Sequence, residues 1–132
     1  MARNELIEEP LTHSVIGAFY EVYNTLGFGF LEHVYVMALK RELPNRDHLF
    51  AREVSAHVRY KGHVLAVHRI DMVVDERLIV EAKASVETPR VAKRQLFNYL
   101  RATGFEVGLR LHFGLEPRFH RLVCTHKGNV SA

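Results

Sequence analysis

A strand-helix-strand unit in the second half of the chain limits the fold more than any other feature of the sequence. Residues 77–84 (RLIVEAKA) and 105–113 are rich in aliphatic and β-branched residues, as strands are. Between them, an N-cap threonine and a first-turn proline open a predicted helix over 89–103, which Gly104 ends. The two strands should therefore be parallel and joined by a right-handed crossover, which requires a sheet with a helix packed on it.

The rest of the chain extends this unit into a mixed α/β fold. Helical or strand patterns predict helices over 10–26 and 31–43, and strands over 50–60, 63–74 and 118–124. The first two of these strands and the strand over 77–84 should form an antiparallel meander. The predicted order is ααβββαββ, with one domain over residues 1–132 and a core over about 10–124.

Composition narrows the class of protein and its compartment. A chain of 132 residues can bury a core without disulfides or metal staples. Its net charge of +3 permits contact with a polyanion but is common among soluble domains. The single cysteine, Cys124, excludes a disulfide framework and is expected to be a small buried hydrophobe. No apolar run approaches the roughly 20 residues of a membrane helix, and no signal peptide is recognisable. We therefore expect a cytoplasmic protein with no membrane partner.

The strongest functional signal is a group of charged residues on one predicted hairpin. If the hairpin is centred near Glu76, Asp71 and Glu81 lie opposite each other on one face, with Cβ atoms about 4.5–5.5 Å apart. The repulsion between these carboxylates is relieved by a proton or a cation, and oxygen-rich sites suit Mg²⁺ or Mn²⁺. Lys83 shares this face and is placed to reach an anionic substrate. The structural alternative is a set of exposed cross-strand ion pairs.

The predicted helix over 89–103 carries a second polar group. Gln95 and Tyr99 are four residues apart and therefore lie on one face, where an amide and a phenol can bond to phosphate or base. Four cations on this helix would attract a nucleic-acid backbone: Arg90, Lys93, Arg94 and Arg101. Alternatively, Tyr99 packs in the core and the cations form a solvated face.

A glycine-rich link between the first two helices carries a third group. Gly27 and Gly29 allow a tight connection, and Glu32 lies one turn before Tyr35 on the second helix. The helix dipole alone also explains a carboxylate at a helix N-terminus.

These groups together resemble a known family. The run GFLEHVY matches the G-x-x-E-x-x-Y signature of the GxxExxY protein family. The blocks RIDMVV, IVEAKA, QLFNYL and VGLRLHFG follow in that family's order, so the resemblance covers roughly residues 10–124. The family belongs to the PD-(D/E)XK nuclease-like superfamily, whose restriction-endonuclease-like core is a mixed sheet flanked by helices. The resemblance implies a metal-dependent nuclease that acts on nucleic acid, with DNA favoured over RNA.

The resemblance assigns a role to each charged residue of the hairpin. Asp71 corresponds to the metal-binding aspartate of the superfamily. Glu81, Ala82 and Lys83 correspond to its E-x-K motif. It therefore implies Mg²⁺ or Mn²⁺ held by Asp71, Glu81 and the backbone carbonyl of Ala82. Lys83 would orient or deprotonate the attacking water, or stabilise transition-state charge; the sequence leaves both roles open. Ala82 replaces the usual leucine and Ile70 the usual proline, and neither change removes a catalytic position.

The two helical groups complete the resemblance. Glu32 matches an acidic residue that supports the metal directly or through water. Gln95 and Tyr99 resemble the Q-x-x-x-Y motif of the RecB-like branch, with the glutamine catalytic and the tyrosine supporting.

Other functions are compatible with the same sequence. The protein could be a catalytically silent nucleic-acid-binding module, or an assembly protein whose exposed strand or helix pairs with another subunit. A homodimer suits either of these alternatives. A zinc site is disfavoured, because His112, His120 and His126 match no ligand spacing.

Overall fold

A five-stranded mixed sheet lies at the centre of the structure. The computed structural model describes residues 8–51 and 54–125. In chain order the elements are α1 (Glu9–Leu26), α2 (Glu32–Asn45), β1 (Phe50–Ala51), β2 (Ser55–Tyr60), β3 (His63–Arg69), β4 (Met72–Val74), β5 (Leu78–Lys83), α3 (Pro89–Thr103), β6 (Val107–Phe113) and β7 (Pro117–Val123). The strand order in the main sheet is β1-β4-β5-β6-β7, with β5 and β6 parallel and the other neighbours antiparallel. The predicted mixed α/β fold is confirmed, including the parallel strands on either side of α3.

Local sequence signals set the ends of α3 as predicted. The Oγ1 atom of Thr88 accepts a hydrogen bond from the backbone N–H of Val91 at 3.3 Å, which satisfies one of the free donors of the first turn. At the other end, Gly104 adopts a φ of 83° and its N–H bonds to the carbonyl of Leu100. The left-handed conformation costs glycine little, so the helix stops there.

The two faces of the main sheet pack against different helices. Side chains alternate along β5, so Leu78, Val80 and Ala82 pack in the cluster that contains the buried faces of α1 and α2. Ile79 points the other way, into a smaller cluster with Leu96 of α3. Residues 81 and 83 follow Ile79 at the strand period and therefore lie on the α3 face.

A glycine in β6 brings α3 close to this face. A Cβ atom at Gly108 would lie 2.8 Å from the Cδ1 atom of Leu96, closer than side-chain atoms pack. The absence of a side chain at Gly108 lets the polar residues of α3 approach those of β5 and β6.

The predicted three-stranded meander is wrong. The segment predicted as a strand over 50–60 contributes β1 to the main sheet and β2 to a separate two-stranded ribbon. The segment over 63–74 likewise divides into β3, in the ribbon, and β4, in the main sheet. The order is therefore ααβββββαββ. Hereafter, the ribbon is the hairpin of β2 and β3.

The second strand divides because its backbone changes partners at residues 70 and 71. The N–H of Ile70 bonds to the carbonyl of Val54, at the base of the ribbon. The N–H of Asp71 bonds to the side chain of Glu81 in the main sheet. The alternating apolar pattern continues through this point, so it did not reveal the change of sheet.

A polar network fixes the turn between β4 and β5. Asp75 and Glu76 have φ of 51° and 59°, as the central residues of a type I′ turn do. The Oδ1 atom of Asp75 accepts a bond from the Leu49 N–H at 2.8 Å, and its Oδ2 atom lies 2.7 Å from His48 Nδ1. Burial raises the pKa of Asp75, but the Leu49 amide and His48 lower it more, so its net pKa is lowered.

Candidate active site

The β4–β5 hairpin places Asp71 opposite Glu81. Its pairs are Met72 with Val80, Val73 with Ile79 and Val74 with Leu78, a register that continues to residues 71 and 81. The two residues also exchange contacts through their side chains. The Asp71 N–H donates to Glu81 Oε1 at 3.1 Å, and the Ala82 N–H donates to Asp71 Oδ2 at 2.8 Å. The predicted juxtaposition of the two carboxylates is therefore present.

The environment of this pair opposes negative charge. Glu81 is only 1% exposed. Burial raises its pKa to about 7, and the neighbouring Asp71 carboxylate contributes to the rise. Burial also raises the pKa of Asp71, despite the bond from the Ala82 amide. Two adjacent carboxylates that both resist ionisation are stabilised by a shared proton or by a cation.

The donor chemistry of the pair fits a hard divalent cation. Magnesium binds carboxylate oxygens and commonly takes only one or two of them from the protein, with water or substrate phosphate as its other ligands. Within residues 8–51 and 54–125, no group of three or more His, Cys, Asp or Glu side chains is arranged to hold a metal ion. Asp71, Glu81 and the Ala82 carbonyl therefore remain predicted ligands.

Glu32 joins the site through Lys83, and its role as a metal ligand, direct or through water, remains a prediction. Glu32 Oε1 lies 3.7 Å from the Nζ atom of Lys83, and its Oε2 atom accepts a 3.4 Å bond from the Ala84 N–H. The ammonium group and the strand-end amide both attract this carboxylate, and these contacts occupy it. Glu32 thus holds Lys83 at the end of β5.

The G-x-x-E-x-x-Y segment has a structural role that explains its spacing. The Tyr35 hydroxyl donates to the Gly27 carbonyl at 2.7 Å and accepts a bond from the Phe30 N–H at 3.2 Å. The Tyr35 ring stacks on Phe113 with centroids 4.1 Å apart. These contacts fix the loop before α2, and they set the position from which Glu32 reaches β5.

His68 is a site residue that sequence reasoning missed. Its Nε2 atom lies 3.3 Å from Glu81 Oε2, and its ring stacks on Tyr99 with centroids 4.0 Å apart and planes 2° apart. Burial and the nearby Lys83 ammonium lower the pKa of His68, so the ring is neutral near pH 7. Tyr99 thus acts on the carboxylate pair through His68, from a position at the edge of the α3 core cluster.

Arg110 is the second missed residue, and it positions Gln95. Its Nε and Nη2 atoms donate to the two Glu87 oxygens at 2.7 and 3.0 Å, and Nη2 also donates to Gln95 Oε1 at 2.7 Å. Arg110 is 1% exposed, and its Nη1 atom is buried without a hydrogen-bond partner in the described part of the chain. The sequence signal for this role was a single arginine, Arg110, in a largely apolar strand. An arginine in such a strand is rarely buried unless it is paired, so a partner was to be expected.

The four cations predicted to bind nucleic acid have different surroundings. All four are exposed. Arg101 lines a groove with Gln95 and Tyr99, whereas Arg94 lies over the Phe97 ring, 5.4 Å from its centroid. Lys93 is near His120, whose pKa is lowered by burial and then by this ammonium. Only Arg101 of the four therefore shares the groove of the Q-x-x-x-Y residues.

Two minor sequence predictions concern histidine and cysteine. Cys124 is buried, and burial raises its pKa, as expected of a small hydrophobe. His112 and His120 contribute to no metal-binding group in the described residues, and His126 lies outside them. No helix in the described ranges combines the length and apolar character needed to cross a membrane.

Comparison with protein families identifies the class to which this site belongs. Residues 9–122 match the PD-(D/E)XK nuclease superfamily. The chain belongs to this superfamily. Nucleases of this superfamily act on nucleic acid and generally use divalent metals. No curated protein matches the sequence.

Two solved structures resemble the fold. The crystal structure of SSO0001 has a TM-score of 0.51 at 13% identity and covers 74% of this chain and 52% of its own. An alkaline exonuclease, LHK-Exo from Laribacter hongkongensis, has a TM-score of 0.46 at 11% identity, over 69% of this chain and 55% of its own. The chain spans about half the length of these structures. The likeness to SSO0001 is a likeness of fold.

Proposed function

We propose that this protein is a metal-dependent nuclease that hydrolyses phosphodiester bonds, with DNA as the favoured substrate and Mg²⁺ or Mn²⁺ as the cofactor. The observation that carries the proposal is the close pairing of half-buried Asp71 with buried Glu81, whose raised pKa values make a cation a natural partner. Within the superfamily, the G-x-x-E-x-x-Y and Q-x-x-x-Y segments support placement in the GxxExxY family and the RecB-like branch. A cytoplasmic location and a homodimer remain predictions.

The residues around the pair would have different roles in hydrolysis. Asp71 and Glu81 would hold a divalent ion, which would supply Lewis-acid polarisation of the scissile phosphate and a water of lowered pKa. Lys83 is on the same face, where its ammonium group orients the attacking water or stabilises the charge that develops on the phosphate. Glu32 keeps that ammonium group beside the site.

Gln95 presents a donor to the substrate. Because its Oε1 atom accepts the bond from Arg110, its NH₂ group is directed away from the arginine. Gln95 is exposed, so this NH₂ group is available to a phosphate or base. Arg110 and Glu87 therefore act as positioning residues that fix the amide orientation.

The test is cleavage of labelled single-stranded, duplex and branched DNA and of RNA, with Mg²⁺, Mn²⁺ or EDTA. The wild type is compared with Glu81→Gln and Lys83→Met, and with Glu116→Gln as a control that removes an exposed carboxylate outside the pair. Identical purification of all four proteins controls for contaminating nuclease. We expect metal-dependent cleavage that Glu81→Gln and Lys83→Met abolish and Glu116→Gln retains. No cleavage of any substrate, or equal cleavage by all four proteins, would refute the proposal and favour a catalytically silent binding module.

A further inference from the structure

The ribbon accounts for the whole net charge of the chain. Residues 54–70 contain Arg59, Lys61 and Arg69 and no aspartate or glutamate. The chain has 18 Lys and Arg residues and 15 Asp and Glu residues, so the remainder of the sequence has fifteen of each. A formal charge of +3 is therefore present in one hairpin.

The ribbon is anchored at its base and exposed over the rest of its length. At the base, Ala56 is buried beneath α3 and His68 stacks on Tyr99. Every residue from 57 to 67 is exposed. Large apolar side chains lie on this exposed part beside the cations: Val58, Tyr60, Val64, Leu65 and Val67. The ribbon thus presents positive charge and apolar surface together.

A groove of about 630 Å³ separates the ribbon from α3. Arg59 lies on its ribbon side, and Gln95, Tyr99 and Arg101 lie on its helix side. Tyr99 stacks on His68, which contacts Glu81, so the groove leads to the carboxylate pair. Its walls supply cations, hydrogen-bonding side chains and an aromatic ring.

We propose that this groove binds a single-stranded segment of nucleic acid, with its phosphates on Arg59 and Arg101. Its bases would lie against Val58 in the groove and, beyond the groove, against the other exposed apolar side chains of the ribbon. Sequence-tolerant strand binding commonly combines a cationic groove with aromatic or apolar platforms for the bases. A duplex keeps its base faces stacked inside, so it would leave the apolar ribbon side chains without a partner. The route to Glu81 rests on the proposed nuclease function, whereas the binding does not.

The first test measures binding without cleavage. Fluorescence anisotropy in EDTA compares a labelled 12-nucleotide single strand with a duplex of the same length. The double variant Arg59→Gln/Arg101→Gln is compared with Arg41→Gln/Arg118→Gln, which removes the same charge from α2 and β7. We expect the groove variant to bind the single strand at least tenfold more weakly, and the control variant to change the Kd less than threefold. The slope of log Kd against log salt concentration should also be shallower by about 1.4 in the groove variant, at roughly 0.7 for each phosphate that is no longer neutralised.

A second variant tests the base contacts. Tyr60→Ala should weaken single-strand binding roughly fivefold while changing duplex binding little, because the exposed Tyr60 ring is then no longer present to stack on a base. Equal losses of affinity in the groove and control variants, or a duplex bound tenfold more tightly than the single strand, would overturn the proposal. So would a change in molar mass by light scattering in the ribbon variants, because that result would assign the ribbon to contact with a second copy. Thermal melts of each variant check that these exposed substitutions leave the fold intact.

These experiments can refute the nuclease proposal and the groove assignment independently of each other. If Glu81→Gln and the wild type both bind the single strand and neither cleaves in Mg²⁺, the nuclease proposal fails and the groove assignment stands. If the wild type cleaves and Arg59→Gln/Arg101→Gln cleaves and binds equally well, the groove assignment fails and the nuclease proposal stands.

Discussion

Each end of the β4–β5 hairpin holds a half-buried aspartate, and the pKa values of these two aspartates are shifted in opposite directions. At the turn, Asp75 accepts a backbone N–H and meets His48, and its pKa is lowered. At the open end, Asp71 faces Glu81 and both pKa values are raised. The turn end stabilises its carboxylate with protein groups alone, whereas the protein groups at the open end leave both carboxylate pKa values raised. One short hairpin therefore separates a structural carboxylate from the pair that is proposed to bind a cation.

The largest expected effect is on cleavage, at the open end. Glu81→Gln keeps the shape of the side chain but removes its charge, so the cation loses a ligand. We expect the rate of cleavage in Mg²⁺ to fall by about 10³-fold or more. The thermal stability of this variant at pH 8 without metal should equal or exceed that of the wild type, because the repulsion with Asp71 is gone. A variant that melts well below the wild type would show that Glu81 has a structural role instead.

At the turn end, the expected effect is on folding. Asp75→Ala removes the acceptor of the Leu49 N–H and the partner of His48. It also leaves a φ of 51° without the hydrogen bonds that hold it, so the free energy of unfolding should fall by about 2–3 kcal/mol in urea titrations. Cleavage per folded molecule should stay within twofold of the wild type. A selective loss of cleavage at unchanged stability would contradict the division between the two ends.

The pH dependence of the folding stability should report the raised pKa of Glu81, at the open end of the hairpin. A raised carboxylate pKa means that the folded state binds the proton more tightly than the unfolded state. For Glu81, whose ordinary pKa is 4.5 and whose folded pKa is about 7, metal-free protein should lose stability as the pH rises across that window. We expect a loss of about 1–3 kcal/mol relative to Glu81→Gln, measured in EDTA. Millimolar Mg²⁺ at pH 8 should restore the melting temperature of the wild type and leave that of Glu81→Gln unchanged.

The smallest expected effect is at acid pH, from the turn end. Because the folded pKa of Asp75 is lowered, its contribution is present above the ordinary value of 3.8 and disappears as the pH falls through the folded pKa. The stability difference between the wild type and Asp75→Asn should therefore shrink between pH 5 and 3, by up to about 1 kcal/mol. A difference that stays constant over this range would mean that Asp75 acts without its charge.

The same hairpin shows what the sequence could predict and what it could not. The register of Asp71 with Glu81 was predictable, because both residues are equally distant from the turn centre and strand side chains alternate. His68 was hidden, because in an unbroken strand it lies three residues from Asp71 and so points to the opposite face. The change of sheet at Ile70 removes that constraint, and it depends on a bond to Val54 that no local pattern encodes.

The rest of the site depends on contacts distant in sequence. Arg110 meets Gln95 because β6 lies beside β5 and because Gly108 lets α3 approach. The parallel pairing was predictable, but the choice of Glu87 as the bidentate partner of Arg110 depends on the path of the loop before α3. The contact between Glu32 and Lys83 likewise requires the position of α2 against the end of β5.

The exposed part of the ribbon has a consequence for the evolution of the protein. Residues 57–67 lie outside both buried clusters, and β2 and β3 pair with each other and not with the main sheet. Insertions, deletions and substitutions there leave the register of β4 and β5 unchanged. Selection can therefore change the exposed residues of the ribbon, which would contact the proposed ligand, while the carboxylate pair stays fixed. Relatives of this protein can then change the ligand that they bind faster than the reaction that they catalyse.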